Sequence, residues 1–136
     1  MKGLLEVACQ SNKGSGFTNG GGFSKHFPMP PWQARHVSSY FDKVMGTSKA
    51  PVPGYTLPGN AIGRRYPDLS VLGTNVVFVC GGPKKYLQAG GTSLSAPIVA
   101  GMISTVNVRA GGKTVGFINP ILYSNSDLFT NDVTVG

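Results

Sequence analysis

Acidic side chains are scarce: five Asp and Glu stand against twelve Lys and Arg in 136 residues, and both signs together make only 12% of the chain. Glu6, Asp42, Asp68, Asp127 and Asp132 are the whole set of carboxylates, so any acid–base chemistry of the chain's own has few groups to draw on. Long apolar runs are missing too. No stretch approaches the roughly 18 apolar residues of a membrane helix, so no membrane span is expected. The start, MKGLLEVACQSN, has a short apolar run broken by Glu6 and does not read as a signal peptide, so no targeting segment is expected there. Cysteine is limited to Cys9 and Cys80, too few for a disulfide framework and at a spacing that fits no metal motif. No Asn-x-Ser/Thr sequon occurs, and no internal repeat. The net charge of +7 raises an anionic partner, but the basic residues cluster only as Arg64-Arg65 and Lys84-Lys85. Without a basic amphipathic helix or an aromatic-lined basic groove, no nucleic-acid partner is expected.

Glycine and proline are abundant instead, at 20 and 10 residues, beside 40% hydrophobic and 10% aromatic residues. That balance describes one loop-rich folded domain, or a piece of a larger one. Residues 11–31 read as an irregular loop held against a core by Phe17, Phe23, Phe27 and then Trp32. Val37, Tyr40, Phe41 and Val44 recur at helical spacing and predict a helix from Trp32 to Met45, ended by Gly46. Ala50 to Pro67 reads as a second loop. The β-branched runs LSVLG (69–73) and NVVFVCGG (75–82) predict two short strands. Ile98, Val99, Met102, Ile103 and Val106 mark a second helix that stops near Gly111-Gly112, and Asn119-Pro120 opens a short helical segment around Ile121 to Tyr123.

The stretch GGTSLSAPIVAG, from Gly90 to Gly101, carries the chemistry. Ser93 and Ser95 stand where a helix begins, and Pro97 suits a first turn, so an N-terminal cap is one reading. The other makes Ser93 a nucleophile: a hydroxyl beside unpaired N–H groups and the positive end of a helix dipole, with Gly90 and Gly91 letting a substrate backbone approach. Spacing alone leaves both open.

GTSLSAPIVAG resembles the nucleophile motif of the subtilisin-like clan of serine peptidases, in which the serine begins a buried helix. Two families share it: subtilisins with a Ser-His-Asp triad, and sedolisins, or serine-carboxyl peptidases, with Ser-Glu-Asp. Three further stretches are similar to sedolisin motifs. GGGFSKHFPMPPWQ (20–33) resembles G-G-F-S-x-x-F-P-x-P-x-[WY]-Q with a Pro30-Pro31 step, GRRYPDLS (63–70) resembles G-R-x-Y-P-D-[VL]-[SA], and GFINPILY (116–123) resembles G-F-[LI]-N-P-x-L-Y. The four follow family order over residues 20–136, with residues 1–19 weakly matched. The resemblance implies an α/β fold, a subtilisin-like parallel sheet flanked by helices, of which residues 1–136 would represent the C-terminal portion.

By the same resemblance Ser93 is the nucleophile, attacking the scissile carbonyl to form an acyl-enzyme. Asp132 and Val133 match the start of the family's calcium site, contributing a carboxylate and a backbone carbonyl, an oxygen donor set suited to Ca2+. The remaining ligands of that site fall beyond Gly136, so the site is expected to be incomplete here. Sedolisins take the proton from serine with a Glu oriented by an Asp, since a His would be protonated in acid, and place a further Asp at the oxyanion. All three belong to the part of the family's domain preceding the G-G-F-S segment, and no Glu here precedes an Asp at the family's helical spacing. Glu6 and Asp42 do not qualify as the base. Asp68 is read as a structural hydrogen-bonding residue at a strand end, and His26 and His36 as non-catalytic surface residues. The expectation is a serine-type peptidase of acidic pH, endopeptidase or tripeptidyl-peptidase, acting on peptides or proteins. It would be lysosome-like or extracellular, and inactive as this chain alone for want of its upstream part. A subtilisin-like Ser-His-Asp fragment and a non-catalytic peptide-binding or decoy module are the alternatives.

Overall fold

A computed structural model describes residues 7–13, 15–45, 47, 62–128 and 133. The chain divides into two compact units. One is built from Gly20–Asp68 with Phe117–Phe129, the other from Met1–Asn19, Leu69–Gly116 and Thr130–Gly136.

The first unit holds β1 (Gly22–Pro28), a 3-10 turn (Pro31–Gln33), α1 (Ala34–Val44), β2 (Gly63–Tyr66) and α3 (Asn119–Ser124). The apolar stripe foreseen for α1 is there: Val37 and Val44 are buried, Tyr40 and Phe41 half-buried, and Asp42 and Lys43 face solvent. Phe23 of β1 is buried and stacks on Phe41 with ring centroids 5.5 Å apart. The loop expected over residues 11–31 is therefore partly a strand. β1 pairs antiparallel with β2, Gly22 opposite Tyr66 and Phe23 opposite Arg65, and the register slips before Pro28 meets Gly63. β2 in turn replaces the end of the loop expected over residues 50–67. Gly63 is what permits this contact, since a Cβ there would overlap the Ser24 carbonyl. Phe27 does not pack as expected; it is exposed.

In the second unit, β3 (Val76–Val79) and β4 (Tyr86–Ala89) form an antiparallel hairpin with Val76 opposite Ala89 and Val79 opposite Tyr86. Its turn needs left-handed backbone at Gly81 and Lys84, and is closed by the Cys80 amide on the Lys85 carbonyl at 3.1 Å. The run at residues 69–73 is not a strand. Its carbonyls serve the neighbouring helix start instead: Leu72 accepts from Ser95 Oγ at 3.2 Å and Gly73 accepts from the Gly91 amide at 2.8 Å. α2 (Thr92–Arg109) ends as foreseen before Gly111 and Gly112, both in left-handed conformations. It carries no charge before Arg109, the composition of a helix enclosed on every side, yet none of its residues is buried.

Both described sheets are two-stranded and antiparallel. The architecture is thus mixed helix and strand, and the pairings among the described residues do not include a parallel sheet.

Candidate active site

Gly91 is the N-cap of α2, so Ser93 is the second helical residue rather than a cap, and no side chain caps this end. Thr92 and Ser93 sit where helix amides have no intrahelical acceptor, and their amides find none among the described residues. Gly91 has φ near 148°, a conformation side chains avoid, and a Cβ there would come 3.2 Å from Ser93 Oγ. The glycine two residues before the hydroxyl is thus favoured by its backbone conformation. Ser93 is exposed, and its hydroxyl makes no hydrogen bond among the described residues. Ser95 is different: its hydroxyl is bound to Leu72, which makes it a packing residue.

Pro97 lies inside α2, in its second turn rather than its first. A helix would bring the amide of residue 97 to the carbonyl of Ser93, and proline has no amide to bring. The first turn is held instead by the Leu94 and Ser95 amides on the Gly91 carbonyl, at 3.0 and 3.4 Å. A free hydroxyl, two free amides and the positive end of an eighteen-residue helix suit an attacking serine and its oxyanion, and leave the proton-accepting base to be supplied.

The remaining motifs meet within the first unit. Gln33, 0% exposed, is the most deeply buried polar side chain described. Its Oε1 accepts from the Arg65 amide at 3.0 Å, and its Nε2 faces the Arg65 carbonyl at 2.9 Å, Tyr123 Oη at 2.8 Å and Asp68 Oδ1 at 3.2 Å. Tyr123 donates to Asp68 Oδ1 at 2.9 Å, and Arg64 pairs with the other carboxylate oxygen. Trp32 packs on Tyr123 with centroids 4.9 Å apart. Burial pushes the Tyr123 phenol above its ordinary range; the Gln33 contact pulls it down and the Asp68 carboxylate pushes it up. One buried node therefore joins PPWQ, YPD and NPILY, and Asp68 has the structural role expected of it. Gln33, Asp68 and Tyr123 each lie within one of the family motifs.

His26 is exposed as expected. His36 is not a surface residue: it is half-buried, edge-on to Tyr123 at 5.1 Å, with Nε2 2.9 Å from Ser126 Oγ. Its Nδ1 is buried without a partner among the described residues. Asp132 lies outside the described residues, as does Glu6, while Val133 is half-buried. Among the described residues no group of three or more His, Cys, Asp or Glu could hold a metal, and no helix is long and apolar enough to cross a membrane.

The chain is similar over most of its length to known proteins. The chain is 36% identical over 132 residues to aorsin of Aspergillus oryzae, covering 88% of this chain and 19% of that protein. It is 35% identical over 133 residues to tripeptidyl-peptidase sed1 of Aspergillus fumigatus, covering 88% and 20%. It is 34% identical over 123 residues to tripeptidyl-peptidase 1 of Mus musculus, covering 88% and 21%. The chain belongs to the sedolisin family. It spans about a fifth of the length of these sedolisin relatives. No protein-family model matches it.

Proposed function

We propose that this chain supplies the nucleophile of a sedolisin-type serine peptidase that hydrolyses peptide bonds at acidic pH, as an endopeptidase or a tripeptidyl-peptidase. The observation that carries the reading is Ser93: an exposed, unbound hydroxyl beside two free amides at the start of α2. In the reaction Ser93 Oγ adds to the scissile carbonyl, its proton passing to a carboxylate base, and the α2 amides stabilise the developing oxyanion. Collapse of that adduct releases the amine and leaves an acyl-enzyme for water to cleave. The base is a Glu oriented by an Asp, with a further Asp at the oxyanion, all contributed by polypeptide that in the family precedes the G-G-F-S segment. The apolar, unburied surface of α2 supports such a partner, since a helix of this composition is stable when covered on all sides. Asp132 and the Val133 carbonyl would contribute to a calcium site completed by further ligands, and the compartment would be lysosome-like or extracellular.

The test is acid peptidase activity of the 136-residue chain alone and after co-expression with the polypeptide encoded immediately upstream. Activity is expected only in the second case, and only with Ser93 intact. Hydrolysis by the chain alone that is lost in Ser93→Ala overturns the need for upstream carboxylates. Activity of the pair that survives Ser93→Ala overturns the nucleophile.

A further inference from the structure

Beside the serine motif the second unit contains a cleft of about 440 Å³, of a size to take one or two residues of a bound chain. Its lining includes Gln10, Thr74, Asn75 and Gln88 beside the apolar Val7 and Ala89, and reaches Gly90, three positions before Ser93. Among the described lining residues none is charged. Three of them are primary amides, each presenting both donors and an acceptor. A carboxylate or ammonium placed here would leave water without a counter-charge. A purely apolar side chain would strip these amides of water without replacing their hydrogen bonds. A neutral group that both donates and accepts suits the three amides of the lining.

The cleft's end is held in place. The Gly91 amide is fixed to the Gly73 carbonyl at 2.8 Å, and a Cβ at Gly90 would lie 3.1 Å from the Phe17 ring and 3.2 Å from that same carbonyl. A group seated against Gly90 is therefore set at a fixed chain distance from the nucleophile. We propose that this cleft is a specificity site for a carboxamide, the side chain of an asparagine or glutamine in the peptide handled by Ser93. The inference rests on the peptidase reading and names a substrate preference for it.

The test reads binding without hydrolysis. The full chain carrying Ser93→Ala, labelled with 15N, is titrated with acetyl-Ala-Gln-Ala, acetyl-Ala-Glu-Ala and acetyl-Ala-Leu-Ala, each capped as the N-methylamide so that Gln carries the only primary amide. The Gln peptide is expected to bind about tenfold more tightly than the other two, the effect of one or two added hydrogen bonds. It should also shift the side-chain amide signals of Gln10, Asn75 and Gln88. Gln88→Leu, and independently Gln10→Leu, should bring the three affinities together. Equal affinities in the parent chain, or a Gln preference that survives both variants, overturn the proposal. Peptide binding without residue preference sinks the carboxamide site alone, whereas the peptidase reading stands or falls on Ser93-dependent hydrolysis.

Discussion

Gln33→Leu should destabilise the first unit far more than its lack of any catalytic contact suggests. Leucine fills nearly the same volume, so the loss is polar rather than steric. The Arg65 amide, which donates to Gln33 Oε1 at 3.0 Å in a part-buried setting, is left without its acceptor, costing about 1–3 kcal/mol. The Nε2 contacts to the Arg65 carbonyl and Tyr123 account for about 1 kcal/mol more, since Arg64 Nη1 still donates to that carbonyl and Tyr123 still has Asp68. A total of about 3 kcal/mol is a large share of the roughly 5–15 kcal/mol that holds a domain together. The unit has little in reserve, because Phe23, Val37 and Val44 are the only buried apolar side chains among the described residues. Trp32 is the chain's single tryptophan and packs against Tyr123, so its fluorescence in a urea titration reports this node and no other. At an m-value of about 2 kcal/mol/M the midpoint should fall by about 1.5 M. A fall under about 0.3 M would refute the reasoning. Gln33→Glu keeps the acceptor but sets a second carboxylate against Asp68, and at neutral pH should be no better than leucine.

Tyr123 gives an alkaline signature. Its raised folded pKa means the neutral phenol is favoured in the native state, so its contribution is complete below the ordinary tyrosine value near 10 and is lost as pH climbs through the raised value. The urea midpoint should therefore drop more steeply above pH 10 in the parent than in Tyr123→Phe, and identical profiles would contradict this. Gly63→Ala forces a methyl into the Ser24 carbonyl and should lower the melting temperature by more than Gly90→Ala, whose closest conflict is with a ring edge at 3.1 Å. The reverse order would count against the β1–β2 register. Ser93→Ala should leave stability within about 0.5 kcal/mol, whereas Ser95→Ala should cost about 1 kcal/mol through its bond to Leu72. Equal losses by thermal melting would return Ser93 to a structural role.

What could be read in the sequence was whatever depends on neighbours a few residues apart. α1 follows from Val37, Tyr40, Phe41 and Val44, and β3 from its β-branched run. The errors lie where a distant segment decides. Residues 69–73 look like a strand, but their carbonyls are claimed singly by Gly91 and Ser95 rather than by a ladder. β4, with Tyr-Leu-Gln-Ala and no β-branched residue, exists because β3 folds back onto it. β1 and β2 sit in glycine-rich stretches that read as loop, and only the close approach at Gly63 makes them partners. The node at Gln33 was invisible for the same reason: its members lie up to 90 residues apart, and only their places within quoted motifs hinted at a common purpose.

The two units divide the motifs by task. GGTSLSAP stands in one, while PPWQ, YPD and NPILY converge on a single buried amide in the other. The Ser93 hydroxyl is left without a partner among the described residues, where the Gln33 amide is saturated with them. Pro97 extends the same logic into the helix, withholding the one amide that would otherwise engage the Ser93 carbonyl. The local rules broken around Ser93 are a helix start without a side-chain cap, a proline in the second turn and an apolar helix left unburied. None of them improves the stability of this chain by itself. They make physical sense together if the helix start is built to receive a substrate at its tip and further polypeptide along its length.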